Sequence, residues 1–157
     1  KRLQRKLDIP TIYVTHDQIE AMTMADRIGI LDAGKLVQIG TPREIYGNPA
    51  STYVASRLGQ PHINLLPSGV LGTPNAPLGT RTIGIRTEHL QIKVKGSANA
   101  VVESIEHLGD QNHIHIRIGE HKLTTLADPY DSIKMGDAVT LELNNPLYFG
   151  AEGQRLH

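Results

Sequence analysis

Short segments with strand character fill the second half of this chain, and they constrain its fold more than any other feature. In the segment NHIHIRIG, isoleucine alternates with His113, His115 and Arg117. This period of two places the isoleucines on one face of a strand with one buried side. Segments of the same kind are RTIGIR, LQIKVKG, AVVESIEHLG, HKLTTLA, AVTLELN and PLYFG. Many short strands separated by turns such as GDQN, DPYD and KMGD predict a small antiparallel barrel or sandwich.

Residues 1–59 mix helical and strand patterns instead. The basic segment KRLQRKL predicts a helix with a solvated face formed by Lys1, Arg2, Arg5 and Lys6. The β-branched run TIYVT, residues 11–15, predicts a short buried strand. Asp17 and Glu20 then stand in capping-box spacing and predict a helix that ends near Ala25. Next comes a predicted hairpin, with strands 27–31 and 35–40 and a three-residue loop over 32–34.

Two more helices are expected before residue 60. Thr41, Pro42 and Glu44 are a typical helix start, with a cap, a proline at the first position and an acid at the third. A further helix is predicted from Pro49 to about Gly59. A segment rich in glycine and proline, GQPHINLLPSGVLGTPNAPLGT, follows. The composition therefore places a domain boundary near residues 58–62, with domains over 1–59 and 60–157.

Composition excludes several classes of function. The chain has no cysteine, which rules out disulfides and thiol chemistry, and no apolar run long enough to cross a bilayer. Its 16 basic and 16 acidic residues cancel, and it has one Phe and no Trp. A nucleic-acid binder of the OB type needs a basic groove and stacking aromatics, so no nucleic-acid partner is expected.

One segment nearly matches a phosphate-binding loop, but its sequence context indicates that the match is accidental. The segment GILDAGKL, residues 29–36, fits G-x-x-x-x-G-K, but Leu36 stands where Ser or Thr should bind Mg²⁺. The segment also lies in the predicted hairpin, whereas a phosphate loop leads into a helix. Lys35 is accordingly expected to be a solvated hairpin residue.

His16 is the candidate for chemistry, because it follows a predicted strand and precedes a predicted helix. Ligand sites of open α/β sheets lie at the carboxyl ends of strands. A histidine there can donate a hydrogen bond to a phosphate or an attacking water. An ordinary turn or capping histidine fits the same position, and the local pattern does not separate the two.

The other histidines have a plain interpretation. His113 and His115 share one strand face, with His107 and His121 near them in sequence. Two histidines at i and i+2 can bind a metal, but no cysteine or acidic cluster accompanies them. A polar outer face of a half-buried strand is the simpler expectation.

A resemblance to a known family now adds to this interpretation. VTHDQIEAMTMADRI is similar to the switch-histidine region of the ATPase subunits of ABC importers, and ILDAGKLVQIGTPREIY is similar to the hairpin and helix that follow it. IGIRTEHL resembles a phrase typical of the TOBE domain of the sugar and glycerol-phosphate uptake type. The resemblance implies an α/β remnant, the C-terminal end of an ABC ATPase domain, followed by an all-β OB-like TOBE barrel.

The resemblance also implies roles for residues and partners. His16 matches the histidine that contacts the ATP γ-phosphate and helps to position the attacking water, while Asp17 and Glu20 receive structural or coupling roles. ATP and Mg²⁺ are implied for the intact protein, together with a second copy of the subunit and membrane permease subunits. The implied location is cytoplasmic, peripheral at the inner face of the membrane. TOBE domains regulate such subunits and help to hold the dimer.

Departures from the family pattern limit what this chain is expected to do alone. The Walker A loop, the Q-loop, the signature and the Walker B motif are not in the sequence and would precede Lys1. The chain is thus expected to be a C-terminal portion that binds no ATP tightly and hydrolyses none. An alternative from another class is a stand-alone TOBE module that binds small anions through Arg81, Arg86 and Arg117. Scattered surface charges would explain the same three arginines.

Overall fold

The structure is a computed structural model that describes residues 9–73, 75–93 and 98–157. The basic helix predicted over KRLQRKL lies outside the described residues. Among those described, β-strands predominate and helices are short, as the sequence predicts for the second half. The elements of residues 9–59 are α1 (Gln18–Met24), β1 (Ile28–Asp32), β2 (Lys35–Gly40), α2 (Pro42–Gly47) and α3 (Thr52–Arg57).

The predicted hairpin is present, with a shorter loop than expected. Asp32 pairs with Lys35, so only Ala33 and Gly34 form the turn. Both have positive φ, 45° and 78°. Positive φ at both central residues is the geometry of a type I′ turn, whose twist matches that of the flanking strands.

The cap of α2 forms as the sequence predicts, whereas the start of α3 does not. Thr41 Oγ1 accepts a hydrogen bond from the Glu44 backbone N–H, and Glu44 accepts one from Thr41 in return. The next helix was predicted from Pro49 and begins at Thr52 instead, with Ser51 as its cap. The side chain of Gln38 explains the later start, because it binds Asn48 O and Ala50 N and holds residues 48–50 outside the helix.

The strand predicted over residues 11–15 is wrong. No strand of the described part of the chain lies beside this segment, and Ile12 and Val14 are 96% and 89% exposed. The backbone N–H and C=O groups of a strand need hydrogen-bond partners on a neighbouring strand. The parallel sheet of an α/β ATPase is likewise not seen in residues 9–59, where β1 and β2 pair antiparallel.

All seven strands predicted after residue 80 are present. They form two antiparallel sheets together with two strands that the sequence patterns missed, one in the segment rich in glycine and proline and one near residue 155. The strands of the two sheets are β3 Asn64–Pro67, β4 Thr82–Ile85, β5 Leu90–Lys93, β6 Ala100–His107, β7 Asn112–Ile118, β8 His121–Ala127, β9 Ala138–Leu143, β10 Leu147–Phe149 and β11 Arg155–Leu156. The order in the larger sheet is β5-β9-β6-β7-β8, and in the smaller sheet β11-β10-β4-β3.

Polar side chains join the edges of these sheets. Thr125 on β8 donates from its hydroxyl to the carbonyls of Thr87 and Leu90, which brings β8 to the start of β5, the opposite edge strand. The amide of Asn64 binds both the N–H and the C=O of Thr124, at 2.7 and 2.9 Å, as a neighbouring strand would. The larger sheet therefore curls towards closure around a core that includes the isoleucines of β7.

Arg86 connects residues 9–59 to the β-rich part. Its side chain is buried, and its Nη1 donates to the carbonyls of Ala55 and Leu58 at 3.0 and 2.5 Å, while Nη2 donates to Tyr46 O at 2.9 Å. The guanidinium lies 3.9 Å from the centroid of the Tyr46 ring. One arginine of the β-rich part thus satisfies carbonyls at the ends of α2 and α3, where helices leave carbonyls without partners.

Replacing Arg86 tests this connection. In Arg86→Met, three carbonyls lose a buried charged donor, and we expect the free energy of unfolding to fall by about 3 to 5 kcal/mol. Urea denaturation followed by circular dichroism measures the loss. Arg43→Met, at an exposed position of α2, is the matched control and should stay within about 0.5 kcal/mol of wild type. Equal stabilities of the two variants would contradict the role of Arg86.

Tyr46 provides a pH test of the same junction. Its hydroxyl donates to Glu88 at 2.6 Å, and burial, followed by this hydrogen bond, raises the pKa of Tyr46 to about 12. The unfolded tyrosine has a pKa of about 10. The raised folded pKa stabilises the fold fully below about pH 10, and this contribution is lost as the pH rises through about 12.

We therefore expect the ultraviolet phenolate titration to contain a component near pH 12 that Tyr46→Phe lacks. Because the chain has five tyrosines, the difference between the two curves is the quantity to measure. A difference curve centred near the ordinary value of about 10 would contradict the prediction.

Candidate functional site around His16

The turn that carries His16 is fixed by its neighbours. The hydroxyl of Thr15 accepts a hydrogen bond from the Asp17 N–H at 2.9 Å and donates to Glu20 at 2.8 Å. Tyr13 also donates to the Glu20 carboxylate at 3.1 Å, and this hydrogen bond raises the pKa of Tyr13. His16 itself is exposed. The turn therefore exposes the imidazole to solvent, while the side chains of Thr15, Asp17 and Glu20 form hydrogen bonds within the chain.

Helix α1 begins directly after this turn. Asp17 accepts hydrogen bonds from the N–H groups of Ile19 and Glu20 at 2.8 and 3.1 Å, which confirms it as the helix cap. Glu20 binds Thr15 and Tyr13, so only half of the predicted capping box forms. Gln18 accepts a hydrogen bond from Gly59 N at 2.8 Å. This bond links the start of α1 to the end of the segment that follows α3.

His16 lies in a cleft of about 360 Å³. The start of α1 forms one wall, and the end of α3 with the residues after it forms the other. Arg57 and His62 line the second wall, and both are exposed. The full lining is His16, Asp17, Gln18, Ile19, Ser56, Arg57, Gln60 and His62. The fold thus brings together three cationic or titratable groups that are up to 46 positions apart in sequence.

Sequence patterns did not point to Arg57 or His62. Arg57 occupies the last turn of α3, where a basic residue is common near a helix end, and His62 lies in a segment rich in glycine and proline. The guanidinium of Arg57 stacks over the Tyr53 ring, 4.3 Å from its centroid. Tyr53 donates in turn to Leu31 O at 2.8 Å, which ties this wall to the hairpin.

The phosphate-loop near match has a different structure. Residues 29–36 lie in the β1–β2 hairpin, and Lys35 is exposed at the start of β2. No helix follows the loop, so its backbone N–H groups do not converge as phosphate binding requires. The match is accidental, as its sequence context predicts.

Comparison with known proteins shows where this chain belongs. The family model of the TOBE domain matches residues 83–146. The sn-glycerol-3-phosphate import ATP-binding protein UgpC 3 of Rhizobium etli is 42% identical over 134 residues, which cover 79% of this chain and 38% of that protein. The UgpC protein of Brucella abortus biovar 1 is 42% identical over 135 residues, covering 78% and 38%. That of Psychromonas ingrahamii is 37% identical over 166 residues, covering 92% and 44%.

This chain carries a TOBE domain. Its resemblance to the ATP-binding subunits of ABC importers is confirmed by these relatives. The chain spans less than half the length of each of the three. In the residues that the structure describes, no helix is both long enough and apolar enough to cross a membrane.

Two histidines of β7 face the carboxylate of Glu106 on β6. His115 Nε2 lies 3.2 Å from one oxygen of Glu106, and His113 Nδ1 lies 3.7 Å from the other. His107 Nδ1 is 2.8 Å from Asn112 Oδ1. Within the described ranges, no three His, Cys, Asp or Glu side chains are grouped so that they could hold a metal ion.

The arginines proposed for anion binding do not form one site. Arg86 is buried, and carbonyl oxygens occupy both of its terminal nitrogens. Burial also lowers its pKa from the ordinary value. Arg81 and Arg117 are exposed, and Arg117 lies 4.0 Å from Glu103. Arg86 is therefore not available to an anion in solution, because its side chain is buried and both terminal nitrogens donate to carbonyls within the fold.

The cap of α1 tests how the His16 turn is held. Asp17→Ala removes the acceptor of two backbone N–H groups, and we expect a loss of about 1 kcal/mol in the stability of α1. Amide hydrogen exchange of residues 18–24 measures this local stability. Asp17→Asn keeps an acceptor oxygen and should leave the exchange close to wild type. Equal protection in the alanine and asparagine variants would show that the cap contributes nothing.

Proposed function

We propose that this chain is the C-terminal portion of the ATP-binding subunit of an ABC importer that takes up a sugar or glycerol phosphate. One observation carries the proposal: a segment like the switch-histidine region and a TOBE domain occur in one chain, in the order found in the family. Relatives at 37 to 42% identity are named as glycerol-phosphate import proteins, which supports glycerol phosphate as the solute.

His16 would contact the γ-phosphate of ATP in the intact subunit. Its imidazole is exposed on a fixed turn and has no hydrogen bond to another described residue, so it is available to a ligand. ATP and Mg²⁺ supply the phosphoryl group and its charge neutralisation, and residues upstream of this chain would hold them. Asp17 and Glu20 keep structural roles, because their carboxylates bind the turn and the helix start.

The exposed apolar residues before His16 support the same arrangement. Ile12 and Val14 belong to a β-branched run that is ordinarily buried, and here both are almost fully exposed. In the intact subunit, neighbouring strands of the ATPase domain would cover them. On this proposal residues 1–59 complete the ATPase domain, and residues 60–157 form the OB-like TOBE barrel.

The proposed partners follow from the importer role. The subunit would work at the inner face of the cell membrane with permease subunits. A second copy would complete the pair of ATP-binding subunits, and the TOBE domain would help to hold that pair together. The chain alone would bind no nucleotide tightly.

A chimera tests this proposal. Residues 1–157 would replace the matching segment of the Rhizobium etli relative, and ATP hydrolysis and uptake of glycerol 3-phosphate would be measured in vesicles with its permease. We expect turnover by the chimera and none by the isolated chain. His16→Ala in the chimera should lower the hydrolysis rate by about 100-fold, since it removes a group that positions the attacking water.

The matched control is His121→Ala, at a half-buried position of the TOBE domain. It should leave the hydrolysis rate unchanged. Hydrolysis by His16→Ala at the rate of the unsubstituted chimera would refute the role of His16. Sustained turnover by the isolated chain would refute the view that the other motifs lie upstream.

A further inference from the structure

Helix α3 is held at both ends by the β-rich part of the chain. At its start, the N–H of Thr52 donates to Gly153 O at 2.8 Å. At its end, Arg86 Nη1 donates to the carbonyls of Ala55 and Leu58 at 3.0 and 2.5 Å. Ala55 is also fully buried, in a cluster that includes residues of β10. A displacement of the two sheets would therefore carry α3 with it.

One peptide group after α3 is bound from two sides. The carbonyl oxygen of Leu58 and the N–H of Gly59 belong to the same peptide group, which is planar and rigid. Arg86 of the TOBE domain binds the oxygen at 2.5 Å, and Gln18 Oε1 accepts a hydrogen bond from the N–H at 2.8 Å. A rotation of the group that follows Arg86 therefore turns the N–H away from Gln18.

Gly59 fits this junction because it has no side chain. Its φ is 111°, in the left-handed region that favours glycine. A Cβ atom here would lie 3.1 Å from both Arg86 Nη1 and the ring of Tyr46. The backbone of Gly59 is therefore packed directly against the two side chains that join the TOBE domain to α2 and α3.

Gln18 carries the contact on to the turn of His16. It is the first residue of α1 and stands two positions after His16. The hydrogen bonds of Thr15 and Glu20 join residues of the same turn, whereas the bond of Gln18 leads to Gly59. All seven described residues of α1 are half-buried or exposed, so apolar packing holds this helix weakly. The bond from Gln18 therefore contributes to where the turn lies.

We propose that Gln18 is a positioning residue for His16, and that its bond to Gly59 makes the placement of His16 depend on the TOBE domain. A displacement of the TOBE domain that rotates the peptide group between Leu58 and Gly59 breaks this bond and releases the turn. A ligand that engages His16 favours the arrangement with the bond intact, because coupling acts equally in both directions. The inference rests on the proposed function for the role of His16, and it adds the regulation of that residue.

Amide hydrogen exchange of the 157-residue chain tests the bond itself. Gln18→Met keeps the length of the side chain but removes the acceptor, so we expect the Gly59 amide to exchange about fivefold faster, the size of one hydrogen bond. Gln18→Glu keeps an acceptor oxygen and should restore the protection. Gln91→Met, at an exposed position of β5, makes the same substitution elsewhere and should leave Gly59 unchanged.

Arg86→Lys tests whether the TOBE domain acts through this bond. Lysine keeps the charge but lacks the planar fork that binds carbonyls of two helices. We expect the amides of Ile19 and Glu20, which Asp17 caps, to exchange about fivefold faster. In the background of Gln18→Met, Arg86→Lys should produce no further increase. Circular dichroism checks that the variants are folded.

A second pair of variants serves if Arg86→Lys does not fold. Gly59→Ala places a Cβ against Arg86 and displaces the same peptide group, so it should also speed exchange of the two capped amides. Gly109→Ala introduces similar strain, at a φ of 96°, where no atom of the described residues lies within 4 Å of the added Cβ. It should leave the two amides as in the wild type.

Hydrolysis by the chimera tests whether Gln18 acts through His16. Gln18→Met should lower the hydrolysis rate by about fivefold, and Gln18→Glu should restore it. In the His16→Ala background, Gln18→Met should have no further effect, because the residue that it positions is already absent. A loss of equal size in both backgrounds would show a general structural role and overturn the proposal.

Three exchange results would also overturn it: an unchanged Gly59 amide in Gln18→Met, equal exchange in the methionine and glutamate variants, or an equal effect of Arg86→Lys in both backgrounds. These results are separate from the fate of the proposed function. An inactive chimera, with the expected exchange pattern in the chain, would remove the proposed function and leave the coupling of the turn to the TOBE domain. An active chimera that needs His16, with unchanged exchange in the chain, would remove the coupling alone.

Discussion

The buried guanidinium of Arg86 is the contact on which the arrangement of this chain depends. It lies between β4 and the short 3₁₀ helix Thr87–His89, yet it binds carbonyls at the ends of α2 and α3. A buried charge is costly unless it is paired or hydrogen-bonded. Here three carbonyls and the face of the Tyr46 ring compensate for the charge, and the Tyr46 hydroxyl donates a hydrogen bond to Glu88. Separating the two parts of the chain would leave this charge without its partners, and the free-energy cost of doing so keeps them together.

The candidate site depends on the same contact. Arg86 binds Leu58 O, and the residues around Leu58 form one wall of the cleft. The opposite wall, which carries His16, reaches this segment through Gln18 and Gly59. A displacement of the TOBE domain would therefore move the end of α3 and the wall opposite His16. These hydrogen bonds connect the TOBE domain to the turn that carries His16.

Local sequence patterns predicted much of the fold, because strand alternation and helix capping depend on residues close together in the chain. The alternation in NHIHIRIG placed its isoleucines in the core, and Thr41 and Asp17 capped the helices that they were expected to cap. The predictions failed where a distant partner decides the outcome. Residues 11–15 have strand composition but no neighbouring strand among the described residues. Gln38 binds Asn48 and Ala50, ten and twelve positions further along the chain, and holds them outside the helix that follows.

The sequence by itself therefore determined seven of the strands after residue 80, the caps Asp17 and Thr41, and the resemblance to importer ATP-binding subunits. Each of these features depends on residues that are close together in the sequence. Only the tertiary structure decided that Arg86 is a buried connector rather than an anion ligand, and that Arg57 and His62 share a cleft with His16. The physical reason is separation along the chain. The carbonyls that bind Arg86 lie 28 to 40 positions away from it, and no local pattern records which distant groups a fold brings together.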